Sequence, residues 1–376
     1  MTRNMRRAEV LVVVLWAAAV MVATIQQGIT HQNNNFLIFR AASLHLLHGQ
    51  DLYAAYPTLH FDFYKYSPSF ALLFLPFAVL PLALSMLLWN ALNAGALWVT
   101  MGMVLGRRGA LVARAIVFLD MLGSLQNVQS NALVTALIIV TFAAYERHRM
   151  TFGSMAANVG AIIKVFPFAG ISFAIFHPHK VRVALAVAIG FALLVALPLL
   201  VTPAHTLMAQ YASWRAIESK DALDRGFTVM QMLELVLKRG WPNWPIQLLG
   251  VLTLVAPVVV RAAMRADWTF RLLYLCSVLV FCVIFNHQSE SPTFVIGVAG
   301  AAIWFAMLQR PTRWEWVLFA FVVVCTVLAS SDAMPRAIQK SFFDPYRFKT
   351  VPLILLWVEL QRRLWSVRRA SMESTL

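Results

Sequence analysis

The sequence predicts an all-α polytopic membrane protein, and three observations carry that prediction. Of 376 residues, 60% are hydrophobic and 12% are charged, where a soluble domain carries about 25% charged residues. The apolar residues come in long blocks separated by short polar breaks, the pattern of successive bilayer-crossing helices. Most of the Lys and Arg stand at the edges of those blocks, where basic residues set topology. The net charge of +15 is therefore read as a membrane signal, and no nucleic-acid partner is expected. Cys276, Cys282 and Cys325 sit inside apolar blocks and read as small buried hydrophobes rather than a disulfide frame or a metal site.

Taken in order, Arg3, Arg6 and Arg7 precede an apolar run over 10–25. That run is long for the core of a cleaved signal, and Gln26-Gln27-Gly28 is not a small-x-small cleavage site. It is read as a first retained helix with a cytoplasmic N-terminus. A first outer loop follows, about 30–68. Within it Phe36, Phe39, Leu44 and Leu47 fall at helical spacings while Arg40, Ser43 and His48 are polar, which predicts a short amphipathic helix at the membrane surface. Gly49 suits its C-cap, and Pro68 opens the next apolar helix.

The stretch 69–125 has two readings. If 69–80 crosses the bilayer, Arg107 and Arg108 fall outside. If it only dips in, they join the other basic breaks inside. Those breaks are Arg147/Arg149, Lys180/Arg182, Arg261/Arg265/Arg271, Arg310/Arg313 and the tail Arg362/Arg363/Arg368/Arg369, all expected to be cytoplasmic. The polar breaks at 126–131, around Lys164, at 286–291 and at 330–349 are expected to face outward. So is a second long loop, 203–245. Between Arg149 and His177 there is room for two half-length helices. The run Ile163-Lys164-Val165-Phe166-Pro167 is then the tip of a helical hairpin that carries Lys164 into a polar cavity. The expectation is a single integral membrane domain over 1–376 in the plasma (inner) membrane, with about ten to twelve spanning or re-entrant helices.

Ionisable residues within or beside a membrane are functional candidates, because they are costly there. Asp51 and Asp62 are the only carboxylates of the first outer loop. Each suits a general base that reaches an acceptor hydroxyl. Each also has a plain reading: Asp51 as a turn residue and Asp62 as a partner of Lys65. Lys164 is placed to neutralise a phosphate, or else to snorkel toward an interface. The amides of Gln126 and Asn131 suit sugar hydroxyls or helix–helix glue. His287 and Glu290 add a titratable pair on the same side, or merely a solvated turn. Asp120 lies inside the membrane with no evident partner. No phosphate-cradling glycine loop is present, which argues against a soluble nucleotide donor.

The run Asn35-Phe36-Leu37-Ile38-Phe39, then Ala42, Leu47, Gly49 and Asp51-Leu52-Tyr53, followed by Tyr66-Ser67-Pro68-Ser69-Phe70-Ala71-Leu72, resembles the opening of glycosyltransferase family 87. The later order does too: the polar knot at 126–131, Lys164 followed by Pro167, and the polar break at 286–292. The resemblance implies a GT-C type bundle with an outer-face active-site cavity. It implies transfer of a mannose-like hexose, with inversion, from a polyprenyl-phosphate sugar to a lipid or glycan acceptor.

No nucleotide or redox cofactor is implied. A divalent metal is compatible with the superfamily, though no carboxylate cluster demands one. In the family pattern an Asp stands where this chain has Asn35, and an amide is no useful proton acceptor. Either Asp62 or Asp51 then serves as base, with Glu290 a further candidate if its loop folds over the cavity, or donor and acceptor differ, or the chain binds the donor without transferring it. Lys164 would stabilise the leaving phosphate, while Asn35, Gln126, Asn131 and His287 orient hydroxyls. Lys65 and Glu290 complete the expected substrate-binding set. The rival class is a transporter or flippase of a lipid-linked glycan.

Overall fold

A computed structural model describes residues 3–31, 33–221, 225–330 and 334–367. Arg368 and Arg369 of the expected basic tail, and part of the 330–349 break, lie outside the described residues. Among the described residues there are helices and no strands. The all-α membrane architecture expected from the sequence is what forms.

Five helices are long and apolar enough to cross a bilayer. They are α1 (Arg3–Thr30), α4 (Leu82–Val104), α5 (Arg107–Gln126), α8 (Lys180–Ala196, prolonged by a tight turn to Leu200) and α11 (Asn243–Val260). Shorter apolar helices complete the bundle: α3 (Pro68–Ala78), α6 (Asn131–Glu146), α7 (Met150–Ile163), α12 (Trp268–Ile284) and α13 (Phe294–Met307). A 3-10 segment, Phe166–Phe176, is the return limb of α7.

The remaining helices are α2 (Asn34–Leu47), α9 (Ala204–Asp221), α10 (Val229–Leu237), α14 (Arg313–Val322), the single turn α15 (Arg336–Ile338) and α16 (Val351–Ser366). The middle of the bundle is α12 against α13, where every residue from Leu272 to Ile284 is buried. Small residues permit that approach: a Cβ on Gly300 would stand 2.9 Å from the Cys276 carbonyl oxygen. Cys276 and Cys282 are buried and Cys325 is partly buried, all three as free thiols.

The structure resolves the two readings of 69–125. The helix α3 has 11 residues, a length of about 16 Å against a hydrocarbon core of about 30 Å. It packs beside α2 and is too short to span a bilayer. Aromatic packing fixes that pair: Phe36 and Phe39 meet Phe74 edge-on at 5.4 Å each, and Trp89 of α4 lies 5.0 Å from Phe74. The helix expected from the spacing of Phe36, Phe39 and Leu44 is α2. Its aromatic side is covered by α3, so both Phe36 and Phe39 are buried.

Arg107 falls at the end of the bundle that carries the other basic breaks. It pairs with Glu9 of α1, and Arg147 donates to the Met103 carbonyl at 3.2 Å. Arg271 pairs with Glu146 at 2.8 Å, and Arg363 bridges Glu359 at 2.7 Å and Glu315. The polar breaks gather at the opposite end. That segregation positions the site.

Candidate functional site

At the polar end the first loop, the tip of the α7 hairpin, the α9–α10 segment and the 286–290 break enclose one open cavity of about 830 Å³. The volume lies in the range of small-molecule sites. Asn35, Asp62, Lys65, Lys164, His287 and Glu290 all line it.

Each wall has a local cause. Pro167 has no amide hydrogen for the Ile163 carbonyl, and its ring would clash with that carbonyl in a continuing α-helix. The helix α7 therefore stops at Ile163, and Lys164 turns extended (φ −146°, ψ 137°). In the first loop the Asn34 carboxamide accepts the Phe61 amide at 3.0 Å, and the Tyr53 hydroxyl donates to the Tyr66 carbonyl at 2.7 Å. These bonds pin the segment bearing Asp62 and Lys65.

The long second loop folds over the first through one face of α9. Gln210, Trp214, Glu218 and Asp221 follow each other at intervals of four, four and three residues, which places them on one helical stripe. Gln210 accepts the Leu52 amide at 3.0 Å and donates to the Gln50 carbonyl at 2.8 Å. The Trp214 indole donates to the Lys65 carbonyl at 3.2 Å. Glu218 accepts from the Gln288 amide at 3.3 Å, and Asp221 pairs with Lys65 at 3.0 Å.

Burial raises the Glu218 carboxyl above its ordinary range, and the neighbouring Asp221 charge adds to it. Burial opposes the charge on Lys65, but the hydrogen-bonded Asp221, with Asp62 and Glu290, holds its ammonium above the usual value.

The α9–α10 connection is clasped to the 286–290 break by the Phe227 amide donating to the Ser289 carbonyl at 2.8 Å. Gly226, at φ +43°, makes this approach possible, because a Cβ there would collide with the Ser289 oxygen. Arg347 closes the cavity from the far end of the chain, its guanidinium 4.6 Å from the Phe227 ring centroid. Lys349 braces the same corner: it donates to Ser291 Oγ at 3.0 Å and lies 3.8 Å from Asp120 Oδ1. Lys349 is thus the partner that the sequence left unnamed for Asp120.

A chain of hydrogen bonds runs along the cavity floor. Lys164 Nζ donates to Asn131 Oδ1 at 2.7 Å, Asn131 Nδ2 to Gln129 Oε1 at 2.5 Å, and Gln129 Nε2 to Glu290 Oε2 at 3.0 Å. Among the described residues, Lys164 has no carboxylate within ion-pairing distance. Its charge is left for something else in the cavity.

Three expected site residues stand apart from the lining. Asp51 accepts the Tyr53 amide at 3.0 Å, in the loop stretch that Gln210 pins, so it acts as a turn residue in this arrangement. Gln126 donates to Gln26 Oε1 at 2.8 Å, and its carbonyl accepts from Gln27, which ties α5 to α1. Asn131 is fully buried behind Lys164. Asp62 does line the cavity. It is exposed and accepts the Phe63 amide at 2.7 Å, and its expected partner Lys65 pairs with Asp221 instead.

Sequence reasoning missed Trp214, Glu218, Asp221, Arg225 and Arg347 as lining residues. For the first three, the stripe on α9 was the available signal. Among the described residues no three His, Cys, Asp or Glu side chains converge as metal ligands.

A comparison with family models matches residues 63–285 to glycosyltransferase family 87. No curated protein matches the chain.

Proposed function

The chain belongs to glycosyltransferase family 87, and from that membership we propose how its cavity works as the active site of a membrane glycosyltransferase. The donor is a hexose, mannose-like, on a polyprenyl phosphate. The acceptor is a lipid or glycan hydroxyl, and transfer inverts the sugar carbon. By the positive-inside rule the basic end, with both termini, is cytoplasmic and the cavity faces outward across the plasma membrane.

One observation carries this reading. Lys164 is held in the cavity by a neutral amide rather than a carboxylate, and Asp62 lines the same cavity. An ammonium without an acidic partner is suited to a phosphate. The Asp62 carboxylate takes the proton from the acceptor hydroxyl. The acceptor oxygen bonds to the sugar carbon as the bond from that carbon to the phosphate oxygen breaks. The departing phosphate keeps the electron pair, and Lys164 stabilises the charge that develops on it. Asn35 and His287 line the cavity where they can orient hydroxyls. Asn35 is anchored by donating to the Asn127 carbonyl at 2.8 Å.

The test supplies the purified protein in lipid with a radiolabelled polyprenyl-phosphate hexose and membrane glycolipids. Transfer is expected in the wild type. Asp62→Asn should lower kcat by roughly 10²–10⁴-fold, the usual loss for a general base, and Lys164→Ala should abolish most transfer. Movement of donor between leaflets with no new glycosidic bond would overturn the proposal in favour of a transporter. Full activity in Asp62→Asn would remove Asp62 as the base.

A further inference from the structure

The chain of hydrogen bonds from Lys164 to Glu290 has a direction that chemistry forces. An ammonium only donates and an ionised carboxylate only accepts. Glu290 therefore takes the amide nitrogen of Gln129, at 3.0 Å. Gln129 must then present its oxygen to Asn131, at 2.5 Å, and Asn131 its oxygen to Lys164, at 2.7 Å. Both amides are buried. Reversing Asn131 would set donor against donor at Lys164, and reversing Gln129 would set acceptor against acceptor at Glu290.

We infer that Glu290 is a positioning residue, which fixes Lys164 in the cavity through the Gln129–Asn131 amide relay. Gln129 and Asn131 act with it rather than touching sugar. The arrangement meets two demands that conflict. Lys164 is partly buried, and a partly desolvated ammonium is stabilised by a compensating negative charge. A carboxylate in direct contact would occupy the side of the ammonium that a phosphate must reach. Two interposed amides keep the balancing charge one relay away, with the acceptor oxygen of Asn131 holding Nζ on a single side. In such a fixed network the donor group is set before charge develops on the leaving phosphate, so no reorganisation is needed at that moment.

This inference rests on Lys164 being the phosphate-binding group. It is tested by a double-mutant cycle with two readouts. The variants are Glu290→Gln, Gln129→Leu and Lys164→Met, with Glu290→Gln and Gln129→Leu each also made in the Lys164→Met background. The first readout is kcat and KM for sugar transfer. The second is binding of a short-chain polyprenyl phosphate carrying no sugar, by native mass spectrometry.

With Lys164 present, Glu290→Gln and Gln129→Leu should each lower kcat by about tenfold, the effect of about 1.4 kcal/mol, and weaken polyprenyl-phosphate binding several-fold. With Lys164→Met, neither should have any further effect, because residues acting through one group are not additive. Equal losses in both backgrounds would show that Glu290 acts on its own and would overturn the inference. So would tighter phosphate binding in Glu290→Gln, the result if this carboxylate merely repels anions. Loss of activity in Glu290→Gln but not in Gln129→Leu would break the relay and overturn it too. A wild type that binds polyprenyl phosphate through Lys164 but transfers no sugar would sink the transferase reading and leave the relay standing on the binding cycle.

Discussion

Substituting Gly226 by Ala should unlatch the cavity's roof. Gly226 has φ +43° and sits against the 286–290 break, where a Cβ would collide with the Ser289 carbonyl oxygen and approach the His287 carbonyl oxygen to 3.0 Å. Both obstacles are backbone, so neither can swing away as a flexible side chain would. A left-handed backbone costs a residue with a Cβ about 1–2 kcal/mol. The shift needed to clear Ser289 removes the hydrogen bond from the Phe227 amide, 2.8 Å long and worth about 1 kcal/mol net. Together these weaken the clasp by about 2–3 kcal/mol, or roughly 30- to 150-fold in its opening equilibrium. Native-state hydrogen exchange reads this directly: protection of the Phe227 amide should fall by that factor, while amides in α12 and α13 keep theirs. Gly240→Ala is the control, because its nearest obstacle is the tip of the Arg225 side chain at 3.3 Å. Unchanged protection at Phe227 in Gly226→Ala would refute the claim that this glycine is what lets the two segments meet.

Other expectations follow from the ionisable groups. Asp120 and Lys349 are 3% and 5% exposed. Asp120→Asn or Lys349→Met alone should therefore destabilise by about 3–5 kcal/mol, and the double variant by clearly less, since breaking a buried pair strands a charge. Thermal stability in detergent of the two single variants and the double checks this. Glu218 has its folded-state pKa raised by burial and by Asp221, so the folded state binds the extra proton. Stability should fall as pH rises from the ordinary carboxylate range through that raised value. Glu218→Gln keeps a partner for Gln288 and should flatten this slope when melting temperature is followed against pH. The Lys65–Asp221 pair is half-exposed, with Lys65 at 36% and Asp221 at 17%. Lys65→Met should cost no more than about 1 kcal/mol of stability after solvent screening, a limit that equilibrium unfolding can check.

The cavity was legible in the sequence where its residues lie close together along the chain. Lys164 stood out because it interrupts an apolar stretch and is followed by Pro167, and the break in α7 beside it is a local consequence of that proline. The first-loop helix was legible from its spacing, but the covering of Phe36 and Phe39 by α3 was not. Asp51 and Asp62 looked alike in sequence, since each is a carboxylate in an aromatic-rich loop. Only the pinning of Gln50 and Leu52 by Gln210, 158 residues beyond Leu52, draws Asp51 away from the lining. Lys65 has Asp62 three positions away, yet it reaches Asp221 across two loops.

By itself the sequence determined the solvent this protein lives in, the alternation of its basic and polar ends, and the hairpin that carries Lys164. Hydropathy, charge asymmetry and proline restriction act over a few residues to a few turns, so each is written in a short window of sequence. The tertiary structure alone decided which polar groups share the cavity, that Asp120 meets Lys349, and that two buried amides stand between Lys164 and Glu290. Those pairings join segments tens to hundreds of residues apart. They follow from how the α9 stripe, the α12–α13 core and the short α3 pack against one another, and no periodicity along the chain encodes that packing.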